Sequence, residues 1–182
     1  MRGQRFLAEL SKHFIPLFTL VVVVQGVHVI EHVIQLVQVY KLGIPEDNAL
    51  GLLGYVFALQ GTEEWLHLVF NTSYFLPLLI LAVLLRPLVP SIVPRWVFLT
   101  FAMGGVALEG WHVIEHSVII SHVIANRGCP CPGILDPILG IGDTLLHFFY
   151  NAVTYGSILP AYGYVMRRWT RSRGVLRSAE AG

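Results

Sequence analysis

His28-Val29-Ile30-Glu31-His32 lies in the middle of a long apolar run, and the same five residues return as His112-Val113-Ile114-Glu115-His116. Each copy begins two residues after a glycine, Gly26 or Gly110. Three ionisable side chains in five residues are costly in hydrocarbon, and inside a membrane segment such residues mark ion paths, relays or ligand sites. The apolar setting of both copies decides the fold. The rest of the chain reads as a membrane scaffold that houses them.

Of the 182 residues, 55% are hydrophobic and 13% charged, whereas a soluble domain carries about 25% charged residues. Four apolar runs, near 14–40, 61–85, 97–125 and 143–166, reach the roughly 20 residues that cross a bilayer. The first and third are overlong and are expected to tilt or to project from the hydrocarbon. The first is too long for a signal-peptide core and no small-residue cleavage pattern follows it, so it is expected to remain a span. Ten of the twelve Lys and Arg residues fall at the N-terminus, in 86–96 or in the tail from 167; only Lys41 and Arg127 fall in 41–60 and 126–142. By the positive-inside rule both termini are cytoplasmic and those two loops lie outside, in what is expected to be the plasma membrane. The basic tail reads as a cytoplasmic anchor in contact with lipid, with no nucleic-acid partner.

Residues 1–13 read as an amphipathic lead-in, with Pro16 in the first turn of the first span, where proline is tolerated. On that span Gln25, His28, Glu31, His32, Gln35 and Gln38 fall within about 140° of arc at 100° per residue. A single polar stripe on an otherwise apolar helix faces other helices. The apolar piece Leu50 to Leu59 is too short to span and predicts a short helix at the interface or capping the bundle. Thr62 is a candidate N-cap for the second span, and Glu63 and Glu64 suit its first turn. Glu63, His67 and Asn71 follow at i, i+4, i+8. Pro77 is placed to kink the cytoplasmic half of that span. The short, proline-rich stretch 86–96 makes the second and third spans neighbours. The third span carries Glu109, His112, Glu115, His116 and His122, and the fourth opens with Asp143 ahead of His147 and Asn151. The tail from Arg167 is expected to be polar and frayed.

The two halves align. A shift of 84 carries Gln25, His28, Glu31, His32 and Gln38 onto Glu109, His112, Glu115, His116 and His122; a shift of 80 carries Glu63, His67 and Asn71 onto Asp143, His147 and Asn151. Both hairpins start on the cytoplasmic side, so this is a parallel repeat with its pseudo-two-fold along the membrane normal. The fold class is therefore all-α: one polytopic membrane domain, a four-transmembrane-helix bundle of two repeats (about 14–85 and 97–166), followed by the basic tail 167–182. Counting back from Tyr40 at about 1.5 Å per residue puts the polar groups in the outer half of the bilayer.

Inside the spans stand six carboxylates (Glu31, Glu63, Glu64, Glu109, Glu115, Asp143) and seven histidines (His28, His32, His67, His112, His116, His122, His147), with no Lys or Arg. Metal is the natural counter-charge, because histidines at i and i+4 share one face and carboxylates can serve as ligands or as supports. The plain alternative is interhelical hydrogen bonding of protonated acids and neutral imidazoles. The repeated set favours metal. Residues twinned in both halves are the expected ligands: His28, Glu31, His32, Glu63, His67, His112, Glu115, His116, Asp143 and His147. Asn71 and Asn151, with the untwinned Glu64, Glu109 and His122, are expected to support them, the untwinned ones setting where substrate or protons enter.

H-x-x-E-H resembles the inverzincin zinc-protease motif, which implies two zinc-binding histidines and a glutamate base. The histidine-rich stripes loosely resemble those of membrane di-iron desaturases and hydroxylases, although the H-x-x-H-H boxes of that group are absent. Mixed His and carboxylate donors suit iron, then zinc or manganese, more than copper. Two ligand sets predict two ions, a di-iron-like centre. Haem is the alternative cofactor, with Gly26, Gly104, Gly105 and Gly110 as room for it. The functions implied are an oxidoreductase on a lipid-soluble or small substrate, or a non-catalytic metal-binding subunit of a membrane complex. A zinc hydrolase and a b-type haem electron carrier are further alternatives. Cys129 and Cys131 read as a constrained proline-rich turn, as free thiols, as an intermolecular pair, or as a soft-metal entry site.

Overall fold

The computed structural model describes the backbone of residues 2–56, 63–125 and 133–180, and the side chains of 12–56, 64–125 and 133–171. Among these residues the fold is all helical. Helix α1 runs Arg2–Tyr40, α2 Gly51–Val56 and α3 Glu63–Leu85. Helix α4, Arg95–Thr100, passes through a π-helical stretch, Phe101–Ala107, into α5, Leu108–Ala125. A single turn, α6, Asp136–Leu139, precedes α7, Asp143–Glu180. Three helical segments are long and apolar enough to cross a membrane: Lys12–Tyr40, Glu64–Leu88 and Arg95–Ala125. Helix α7 is long enough, but Asp143, His147, Asn151, Thr154 and Ser157 hold its hydropathy below theirs.

Three expectations change. There is no separate lead-in, because α1 is continuous and Pro16 lies inside it. The lost backbone hydrogen bond is tolerated where Phe14, Ile15 and Phe18 are buried on both sides of the proline. The tail is not frayed from Arg167, since α7 continues to Glu180. The third apolar run is not one regular helix but carries a π segment, Phe101–Ala107, a feature frequent at functional sites.

Helix α1 packs along α7 and also on α3; α3 packs on α5, and the π stretch leans on α7. The predicted adjacency of the second and third runs is therefore observed. At one end of this assembly the core is apolar. Phe14, Phe18, Leu78, Leu81, Leu85, Val97, Phe101, Ile158 and Ala161 are buried there. The Phe18 ring meets Phe101 and Tyr162 edge-on at 6.0 and 5.2 Å. In lipid such contacts hold by close packing rather than by escape from water, which is why small residues matter at helix contacts. Gly104 is the case in point: a Cβ there would run into the Ser157 side chain of α7. At the other end the core is polar. His28, His32, Asn71, His112, His116, His147 and Asn151 are all buried.

A candidate metal centre

Helical periodicity puts the predicted histidines in one place. His28 and His32 come from α1, His67 from α3, His112 and His116 from α5, and His147 from α7. Their rings form one continuous cluster: His28–His32 4.6 Å, His32–His67 5.8 Å, His67–His116 5.3 Å, His116–His147 4.6 Å and His112–His116 4.8 Å between centroids. His112 and His116 are fully buried, and His147 is 3% exposed.

The tightest set is His112, His116 and His147. One nitrogen of each lies within 4.8 Å of the others, a geometry able to hold a metal ion. The Nε2 atoms converge, with His116 Nε2 3.1 Å from that of His112 and 3.1 Å from that of His147. The Nδ1 atoms face oxygen. His116 Nδ1 is 3.1 Å from Glu64 Oε2. His147 Nδ1 is 2.9 Å from the Asp143 carbonyl and 3.1 Å from its carboxylate. His112 Nδ1 is 3.8 Å from Glu109 Oε2.

The Asp143 carbonyl only accepts, so Nδ1 of His147 carries a proton, and beside an ionised Glu64 so does Nδ1 of His116. Neutral rings in that state turn their Nε2 lone pairs on each other at 3.1 Å, with a third ring at the same distance. One extra proton relieves one contact only, because an imidazole nitrogen has a single in-plane site. A metal ion about 2.0–2.1 Å from each nitrogen satisfies all three at once. Carboxylates on the outward ring nitrogens are the usual supports of metal-bound imidazole. The residues present therefore fit an ion.

A second set, Glu64, His67 and His116, also brings its donor atoms within 4.8 Å of one another. Glu64, expected only as a support, thus stands directly in the cluster. Its signal in the sequence was its spacing: three residues before His67, it shares that histidine's face.

Other expected ligands stand elsewhere. Glu31 does not turn toward the histidines; its Oε1 accepts from the Leu53 N–H at 2.7 Å, holding the first turn of α2. Glu115 does the equivalent, accepting from the N–H groups of Ile134 and Leu135 at 2.7 Å each. The free N–H groups of a helix start or tight loop suit a carboxylate. Gly51 and Gly133 leave the space each carboxylate occupies, since a Cβ at either would overlap it. Asp143 backs His147 rather than joining the converging nitrogens. The side chain of its twin Glu63 lies outside the described residues, as do Thr62, Cys129 and Cys131.

Asn71 Nδ2 stands 3.5 Å from His112 Nε2. Asn151 donates to the His147 carbonyl and accepts from Gln25 Nε2 at 2.8 Å. His122 is half-buried and, among the described residues, makes no hydrogen bond or ring contact with the cluster. The glycines that were to make room for haem are filled: Tyr155 faces Gly26, Phe75 faces Gly110, Ser157 faces Gly104 and Ile158 faces Gly105. Two contacts had no signal in the sequence. Phe70 stacks on His28 at 4.3 Å, and Glu46 accepts from the Asp143 N–H at 3.2 Å across the bundle.

No protein family, curated protein or solved structure matches the chain.

Proposed function

We propose that the chain is an integral membrane metalloprotein, an oxidoreductase with two intramembrane ions and a lipid-soluble substrate. The observation that carries the metal reading is the convergence of three Nε2 atoms at 3.1 Å spacing, two of them with Nδ1 on an oxygen acceptor. His112, His116 and His147 would hold one ion. We assign the second to the twin set His28, His32 and His67 from the repeat; the structure supports only its pair, His28 and His32, whose Nε2 atoms are 3.2 Å apart. With the carboxylates behind the rings, the interior donors are nitrogens. That disfavours manganese and suits iron or zinc, and copper becomes a stronger competitor than mixed donors implied. Iron is the choice that supplies redox chemistry at paired sites in a bundle.

The substrate class follows from where the cluster meets lipid. A cavity of about 130 Å³ between α1 and α3 is lined by Leu17, Leu20, Val21, Val24, Phe70, Ser73, Tyr74 and Pro77. Phe70 joins that apolar cleft to the cluster by stacking on His28. An apolar molecule entering sideways from the membrane fits such a lining.

Four spans in two parallel repeats, α1 with α3 and the α4–α5 segment with α7, complete the reading. Its support is the matched use of Glu31 and Glu115 on the two loops and the matched Nε2 pairs of His28–His32 and His112–His116. The loops on the cluster side, 41–56 and 133–142, face outward, with both termini cytoplasmic.

Elemental analysis with an optical spectrum of the purified protein tests the metal reading, and about two non-haem ions per chain are expected. A stoichiometric Soret band, or no transition metal after growth in metal-replete medium, overturns it. Impermeant thiol reagents are expected to reach Cys129 and Cys131 from outside, and labelling only from the cytoplasm overturns the orientation.

A further inference from the structure

An ion bound by His112, His116 and His147 must reach nitrogens that are almost wholly buried. We propose that it enters through a second, shallower cation position formed by Glu64, His67 and His116, and passes inward with His116 common to both positions. This rests on the metal reading and adds to it a route and a loading site.

Three observations support it. First, the two sets share one residue. Donor atoms of Glu64, His67 and His116 lie within 4.8 Å of each other, and so do those of His112, His116 and His147. The His116 ring lies between them, with Nδ1 on Glu64 at 3.1 Å and Nε2 on the interior triad at 3.1 Å. Second, the shallow set reaches the surface. The Glu64 side chain is 30% exposed and that of Asp143 43%, whereas those of their partners His116 and His147 are 0% and 3% exposed. Both carboxylates open at the end of the molecule that carries 41–56 and 133–142. Third, the shallow set contains a spare donor. His67 Nδ1 is buried and has no hydrogen-bond partner.

The chemistry of the two sets gives the step a direction. The shallow set offers one carboxylate oxygen and two nitrogens beside a second carboxylate, which attracts a hydrated divalent cation and repels anions. The deep set offers three nitrogens, the donors that first-row transition metals prefer over hard cations. Selection by charge at the mouth is thus followed by selection by donor type inside.

The test uses the full chain in lipid nanodiscs, stripped by chelator, with Co²⁺ as the probe. Uptake is followed by cobalt absorbance after rapid mixing, and release is followed into excess chelator. Glu64→Gln keeps an oxygen that accepts from His116 Nδ1 but removes the charge. It is expected to slow uptake by about tenfold or more, while release, slowed by the same lost route but speeded by the ten- to hundredfold weaker hold of a His116 without a carboxylate behind it, does not fall with it. His122→Ala, outside the cluster, is expected to match the wild type in both rates. Wild-type uptake in Glu64→Gln overturns the proposal. So does faster release at unchanged uptake, because that is the signature of a residue that only orients His116. Loss of final occupancy in Glu64→Gln overturns it as well. If the wild type itself takes up no cobalt, the metal reading fails, and that outcome is separate from all the others.

Discussion

Replacing His116 by phenylalanine keeps the volume of the ring and removes both nitrogens. In the metal-free protein the Nε2 atoms of His116 and His147 face each other at 3.1 Å, with His112 Nε2 at the same distance from His116. Substituting an apolar group of the same shape for such a poorly satisfied polar one is close to neutral or stabilising. Glu64 loses its partner, but its side chain is 30% exposed. Metal-free His116→Phe is therefore expected to unfold at or above the wild-type temperature. With metal the order reverses. At a free concentration a hundredfold above Kd, a bound ion adds about 2.7 kcal/mol to the wild type. For a chain of this size that is about 5–11 °C of melting temperature. The variant has lost the residue shared by the triad and by the Glu64, His67 and His116 set, and should lose that ion's share while keeping what an ion on His28, His32 and His67 adds. Thermal unfolding in detergent, with and without added Co²⁺ or Zn²⁺ after chelator treatment, measures both numbers. A variant that keeps the full metal-induced rise refutes the triad. A metal-free variant several degrees less stable than the wild type refutes the lone-pair argument.

The other expected outcomes are these. His32→Ala lowers metal content per chain, while His122→Ala leaves it within error of the wild type, both read by elemental analysis; the opposite pattern sinks the ligand assignment. Glu115→Ala strips the Ile134 and Leu135 N–H groups of their acceptor, a loss of about 1–3 kcal/mol that should appear as faster hydrogen exchange at those two amides. Gly104→Val forces the π stretch off Ser157 and should cost about 1–3 kcal/mol of stability by overpacking, whereas Gly156→Val, with nothing near its Cβ position, should not. Metal titration is expected to show two steps of unequal affinity, with the tighter one lost first in His112→Ala; a single step with two equal ions contradicts the asymmetry argued below.

Much of this was legible because period and chemistry agreed. A polar residue every three to four positions on an apolar helix has one place to go, so spacing alone puts His28, His32, His112, His116 and His147 together. The carboxylates were less legible. Glu31 and Glu115 share a helix face with their histidines, yet each is within reach of a loop whose N–H groups need an acceptor. The spacing of a motif does not contain the position of a loop 19 to 22 residues away. The π stretch was illegible for a related reason. Phe101–Ala107 is unremarkable as an apolar helix, and its two glycines matter only once α7 brings Ser157 and Ile158 against them. The continuation of α7 to Glu180 was missed because composition alone separates a polar tail from an apolar span, whereas a helix needs no change of conformation at the membrane surface.

The asymmetry between the halves has a single physical source. Repetition supplied each hairpin with three matched histidines, and of the three twinned pairs only His67 and His147 have twinned carboxylates, Glu63 and Asp143, one turn before them in the sequence. The carboxylates without twins, Glu64 and Glu109, break that equality, and both face the same half: Glu64 stands 3.1 Å from His116 Nδ1 and Glu109 3.8 Å from His112 Nδ1. With Asp143 on His147, every ring of the second-half set has a carboxylate behind it. Among the described residues His28 and His32 have none at ion-pair distance, and where Glu109 stands in one half its counterpart Gln25 donates to Asn151 instead. A carboxylate behind a ligand ring raises the ring's basicity and fixes its tautomer, and its loss typically costs ten- to a hundredfold in metal affinity. Two such differences are enough to make a duplicated scaffold bind two ions with distinct strengths. The tighter site is then the one that shares His116 with the acidic mouth.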